Sequence, residues 1–226
     1  MTHLDSELKL LRAEVIEMWM LVISQLTKSK EALLKFDKQI ATEVDVNEKR
    51  VNVYELMLDR DCENILALYN PVAIDLRFVL AVLKINYNLE RIGDYAQGIA
   101  LMIKEMDVPF SKELFQATSV LEMFDECLSM VTDSLQSFEK EENKLALSIF
   151  ERDERIDSFN VASVPIIASH MKRRHEECEH GLNMLSLIRK LERVGDQTKN
   201  IAEEIIFYIE AKVIKHRTKK NIETKN

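Results

Sequence analysis

Residues 89–100 read LERIGDYAQGIA, and residues 191–202 read LERVGDQTKNIA. Seven of the twelve positions are identical, and Glu90 and Glu192 stand 102 residues apart, as do Asp94 and Asp196. A fixed offset this long is the mark of a duplicated structural unit. A looser echo lies upstream of each copy, EKRVN at 48–52 and DERID at 153–157. The chain therefore reads as two copies of one unit, each with an acidic motif near its end.

The units are helical. Apolar residues at Leu4, Leu8, Leu11, Val15, Met18 and Val22 step by four and three, which lays one stripe along a helix. Leu114, Ala117, Leu121, Phe124, Leu128, Val131, Leu135 and Phe138 repeat the stripe at the start of the second copy. Four glycines and three prolines in 226 residues are too few for the many tight turns of a sheet protein. Breaks are expected at Asn70-Pro71, with Asn70 as cap and Pro71 in the first helical position. Others are expected at Pro109-Phe110-Ser111, Glu142-Asn143 and His180-Gly181, with Ser111 capping a helix and Gly181 taking the left-handed position after one. Six long helices result, over 3–34, 38–69, 71–106, 111–139, 143–178 and 181–214. The fold class is all-α, two tandem three-helix bundles: 1–108, 109–214, and a basic tail at 215–226.

Charge narrows the function. A net charge of −8 argues against nucleic-acid binding, which rests on neutralising phosphates. The basic stretch from Lys212 to Lys225 is the exception and reads as a solvated end. Cys62, Cys127 and Cys178 are odd in number and far apart, so they suit a reducing cytoplasm and helix interfaces better than disulfides or a thiolate zinc site. No leader-like pattern is visible at the N-terminus, and the apolar run Met18–Ile23 is too short to span a bilayer. The P-loop, the dinucleotide fingerprint, nucleophile motifs and the Glu-x-x-His pairs of di-iron bundles are all missing, which points away from an enzyme. The five histidines are scattered and read as surface residues.

The acidic motifs carry the chemistry. Glu90 and Asp94 share one helix face a turn apart, as do Glu192 and Asp196. Like charges at that spacing, and Gly93 or Gly195 inside a helix, each weaken the helix. Accepting both costs twice, at matched positions, points to a use. A glycine lets another backbone approach, and a cation between two carboxylates turns repulsion into binding. In an antiparallel hairpin, Asp153 and Asp157 can face Glu192 and Asp196, giving four carboxylates. The first copy offers Glu48, Glu90 and Asp94, with Asn52 as a neutral oxygen ligand. This asymmetry makes the second set the stronger candidate. All-oxygen sets suit iron, manganese, magnesium or calcium, with zinc less typical. The alternative is that the acids pair with Arg50, Arg91, Arg155 and Arg193 on solvated faces. A carboxylate-bridged metalloenzyme is disfavoured by the absence of histidine ligands. Asp75 suits a helix N-terminus, and Arg77 is a candidate for an anion or a partner.

With LERIGD and LERVGD in matched copies, the chain resembles the PhoU family of bacterial phosphate-uptake regulators over essentially its whole length. NPVAIDLR at 70–77 is similar to that family's opening of helix three, and NIAE at 200–203 to its ending. The second unit lacks the proline opening and reads EECEHGLN there, and Gly98 stands where the ending would have Asn. The resemblance implies a cytoplasmic, non-enzymatic negative regulator, connecting the ATPase subunit of a phosphate ABC transporter to a sensor histidine kinase; the alternative is an accessory protein of a different phosphate transporter without kinase signalling. It implies dimers or larger oligomers, and iron or zinc clusters held by the acidic motifs. By position it makes Glu90, Asp94, Glu192 and Asp196 metal-ligand candidates, joined by Glu48, Asp153 and Asp157.

Overall fold

The structure is a computed structural model that describes residues 2–213. Its elements are α1 (His3–Lys35), α2 (Lys38–Tyr69), α3 (Ala73–Glu105), α4 (Lys112–Thr118), α5 (Val120–Lys140), α6 (Asn143–Arg173), a single 3-10 turn (His175–Glu177) and α7 (Cys178–Glu210). No strand occurs among the described residues. The first bundle is α1–α3 and the second is α4–α7, so the two-bundle, all-α expectation holds with the opening helix of the second bundle divided.

Local chemistry sets the ends. Thr2 and Asp5 close a capping box on α1, each side chain accepting from the other residue's backbone N–H. Asp37 accepts from the N–H groups of Gln39 and Ile40 to start α2. Ser111 accepts from Leu114 N–H to start α4, as its position predicts. All six residues with positive φ among the described residues are non-glycine: Phe36, Asn70, Ala73, Ser119, Glu141 and Ala211.

Several boundaries differ from the sequence reading. Asn70 is the left-handed end of α2, not the cap of α3; α3 begins at Ala73, after Pro71 has stopped the chain. Ser119, at φ 50°, splits the expected 111–139 helix, which turns Ala117 to solvent and brings Thr118 and Val120 into the core instead. Gly181 sits inside α7, three residues after its start, and the preceding break falls at Arg174. The expected cap needs a positive φ, and Gly181 does not have one. α7 ends at Glu210 rather than 214. The basic tail at 215–226 and His216 lie outside the described residues. His170 is buried rather than on the surface, and its Nε2 meets Glu177 Oε2 at 2.8 Å, tying the end of α6 to the turn after it.

The two repeats share one continuous core. α3 packs along α7 and α1 meets α5, so these four helices form a central layer with α2 and α6 outside it. The seam is aromatic. Trp19, Phe78, Phe138 and Tyr208 meet across it, and Trp19 Nε1 donates to Val131 O at 3.3 Å. The Arg12 guanidinium lies over Phe78 and Phe138 and donates to Glu141 at 2.6 Å. Arg77 Nε donates to Tyr208 O, so this candidate anion ligand is a brace between α3 and α7. Cys62 and Cys127 are buried between helices, where desolvation pushes both thiols up, Cys62 to about 12. They are inert fillers of helix interfaces, as expected. No described helix is long and apolar enough to cross a membrane.

Candidate functional site

Each repeat builds the same buried feature from α2 and α3, or from α6 and α7. Glu48 on α2 is 2% exposed and Asp153 on α6 is 1% exposed. These are the first acids of the EKRVN and DERID echoes. Each lies against the glycine of the neighbouring motif. A Cβ added to Gly93 would stand 3.0 Å from Glu48 Oε2, and one added to Gly195 would stand 3.2 Å from Asp153 Oδ1. The glycine admits a buried carboxylate, not another backbone as its position suggested. That is the structural reason for Gly inside LERxGD.

The two carboxylates are incompletely satisfied. Gln25 Nε2 on α1 donates to Glu48 Oε2 at 2.8 Å, but Glu48 Oε1 and Gln25 Oε1 are buried without a partner. Lys199 Nζ donates to Asp153 Oδ2 at 2.6 Å, and Asp153 Oδ1 is buried without one. Native interiors leave few polar atoms unmatched. Here all three orphans are oxygen acceptors, which a cation or a water would satisfy.

Around each buried acid the motif acids gather electrostatically. In the first repeat, burial and then the charges of Asp94 and Glu55 push Glu90 up to about 7. Desolvation raises Glu48 as well, against the pull of the Gln25 amide. In the second repeat, desolvation raises Asp153, Glu192 and Asp196, with neighbouring acids adding to each. Asn52 and Asp157, the last residues of the echoes, are exposed on the outer helices. Arg91 pairs with Asp94 at 2.9 Å and Arg193 with Asp196 at 3.4 Å, so part of the solvated ion-pair alternative also holds. Arg155 instead reaches Glu126. Among the described residues, no three His, Cys, Asp or Glu side chains are gathered into a ready-made metal cluster.

Sequence reasoning missed Glu55, Gln25 and Lys199. Glu55 follows Glu48 by seven residues, a heptad step on the same face, and that spacing was a usable signal. Its place in the second repeat, at the offset separating Glu48 from Asp153, is Asn160. Gln25 lies on a third helix and gave no signal. Lys199 occupies the place of Gln97 in the first copy. These residues set the two sites apart in a way the motifs alone did not show. The first repeat has four acids (Glu48, Glu55, Glu90, Asp94) and no lysine on its buried carboxylate. The second has four acids, but an internal ammonium already holds Asp153.

The PhoU domain model matches residues 15–103 and 120–205, one copy per repeat. The chain belongs to the PhoU family. It is 31% identical over 216 residues to the phosphate-specific transport system accessory protein PhoU homolog of a Burkholderia species, covering 95% of this chain and 92% of that protein. It is 30% identical to PhoU homolog 1 of Thermotoga maritima, covering 91% and 88%. Among solved structures, PhoU from Pseudomonas aeruginosa superimposes with a TM-score of 0.85 at 28% identity, over 92% of this chain and 99% of that one. The phosphate transport system regulatory protein PhoU from Streptococcus pneumoniae gives 0.83 at 29%, over 94% and 99%.

Proposed function

We propose that this PhoU-family chain is a cytoplasmic accessory protein of a phosphate-specific transport system and acts as a negative regulator of phosphate uptake and phosphate-responsive signalling. The observation that carries this reading is the family match in both repeats, with relatives of that name aligned over more than nine tenths of the chain. The chain acts by docking, without catalysing a reaction. Its partners are the ATPase subunit of a phosphate ABC transporter and a sensor histidine kinase, and it works as a homodimer or larger oligomer.

The acid sets support a further part of the proposal, a bound metal. Orphaned buried oxygens at Glu48, Gln25 and Asp153 favour a hard or borderline cation such as iron, manganese, magnesium or zinc. Glu48, Glu90 and Asp94 would hold it in the first repeat, with Glu55 beside them. Asp153, Asp157, Glu192 and Asp196 would do so in the second. Such an ion would supply charge neutralisation and fix the outline of an acidic face. The half-exposed acids of α3 and α7 would complete the donor set, while the buried acid anchors it.

Co-purification with the tagged ATPase subunit tests the docking claim. Recovery of the chain with that subunit in phosphate-replete cells is the expected result, and its absence there would count against it. Metal analysis of the purified chain, beside a Glu90→Gln/Asp94→Asn variant, tests the ion separately. Metal that is retained by the parent and lost from the variant is expected.

A further inference from the structure

Between α3 and α7 runs a groove of about 320 Å³, lined by Tyr95 of α3 and by Ser186, Arg189, Lys190 and Arg193 of α7, with Leu182 and Leu185 as its apolar wall. Three cations share it in a chain of net charge −8. Lys190 is half-buried, and its one hydrogen bond among the described residues is to Ser186 Oγ at 2.7 Å. No carboxylate pairs with it among the described residues. Arg189 has no ion pair among the described residues and is exposed. Arg193 holds Glu192 and Asp196 only at 3.6 and 3.4 Å. The Arg91 guanidinium lies 5.6 Å from the Tyr95 ring centre and is itself paired with Asp94.

The internal repeat shows that this cation is unmatched. At the 102-residue offset, Lys190 corresponds to Asn88 and Gly98 to Asn200. Asn200 donates to Asn88 at 3.3 Å, a neutral contact. Its mate is a lysine stem seated on the α3 backbone at Gly98, where an added Cβ would stand 2.7 Å from Lys190 Cε. The lysine of the other half, Lys84, is neutralised by Glu204 at 2.9 Å. The residue 102 before Glu204 is Met102. Gly98, which departs from the repeat, thus admits a cation into an interhelical groove, and no acid follows it there.

A half-buried ammonium without a counter-ion is costly, and an arriving anion removes the cost. A hydroxyl that accepts from the lysine keeps its own proton to donate. The arginine forks suit tetrahedral oxyanions. We propose that this groove binds a phosphate-type oxyanion, either free inorganic phosphate or the phosphate end of a nucleotide. The site borders the acidic set of the second repeat through Arg193, which pairs with Glu192 and Asp196, but its lysine and Arg189 lie outside that set.

Calorimetric titration of the full chain, in chelator and at fixed ionic strength, tests it with inorganic phosphate, ATP and acetate as probes. Saturable binding of phosphate or ATP is expected, with acetate much weaker. Lys190→Met keeps the stem on Gly98 and removes the charge, and it should weaken binding by about tenfold or more. Arg189→Ala, at an exposed position that leaves the fold alone, should weaken it several-fold. Gly98→Asn, which displaces Lys190, should weaken it as well. Phosphate and ATP binding alike makes the free anion the ligand; tighter ATP makes it a nucleotide, with its base against Tyr95. No saturable binding of either up to about 10 mM overturns the proposal. So does acetate binding as well as phosphate, or both charge variants binding like the parent.

Discussion

Replacing the motif glycine with alanine, at Gly93 or at Gly195, separates the two repeats by the size of its effect on stability. In a helix interior the exchange alone favours alanine by about 1 kcal/mol. Against that, the new methyl carbon would stand 3.0 Å from Glu48 Oε2, 3.2 Å from Gln25 Oε1 and 3.3 Å from Val51 Cγ1. All three neighbours are at most 2% exposed, so none can swing into solvent. Overpacking of this kind costs about 1–3 kcal/mol. Pushing Glu48 off the Gln25 amide removes a charge-assisted bond contributing about 1.5–3 kcal/mol. Gly93→Ala should therefore be destabilised by about 1.5–5 kcal/mol net. Gly195→Ala meets Asp153 Oδ1 and Ile156 Cγ2, both at 3.2 Å, and breaks no hydrogen bond, because Lys199 holds the other oxygen of Asp153. There the two effects should nearly cancel. Urea unfolding followed by far-ultraviolet circular dichroism, with chelator present, measures both through the midpoint at unchanged slope. A Gly93→Ala chain more stable than the parent by about 1 kcal/mol would refute the claim that the glycine exists to admit the carboxylate.

Other outcomes follow from the same geometry. Lys199→Met leaves Asp153 buried without its cation, which should cost about 2–3 kcal/mol given the half-exposed lysine; thermal unfolding with and without added manganese checks it, the ion restoring more stability to the variant than to the parent. Glu90 is raised in the folded chain to about 7, above its ordinary 4.5, so the folded state binds the extra proton between those values. Its contribution is full below about 4.5 and lost as pH rises through about 7. Metal-free stability should fall over that window, and Glu90→Gln should flatten the slope. Because Trp19 sits in the seam between repeats, its fluorescence and the helical signal should lose structure in one coincident transition; two separated transitions would contradict a shared core.

How far the sequence carried depended on the range of the interaction. The repeat, the helix stripes and the Ser111 cap are local patterns and are visible in the string. The left-handed turns are not, because the chain uses Asn70, Ser119 and Glu141 there, whereas all four glycines lie inside helices. A reader looking for glycine as a helix stop is led to Gly181 and misses Ser119. The acids at Glu48 and Asp153 stood out through repetition, but their burial did not. Whether a carboxylate meets an amide or an ammonium depends on Gln25 and Lys199, which reach it from other helices. That partner choice distinguishes the two sites and is not written in either motif. Gly98 showed the opposite limit: the departure from the repeat was plain, and its meaning came only with Lys190 lying on it.

The central claim is a regulatory role in phosphate supply, and a phosphate-responsive promoter reporter in cells lacking this chain tests it most directly. In phosphate-rich medium the reporter should be switched on in the deletion strain. Supplying the intact chain should silence it again. A reporter that stays fully repressed without the chain would contradict the account.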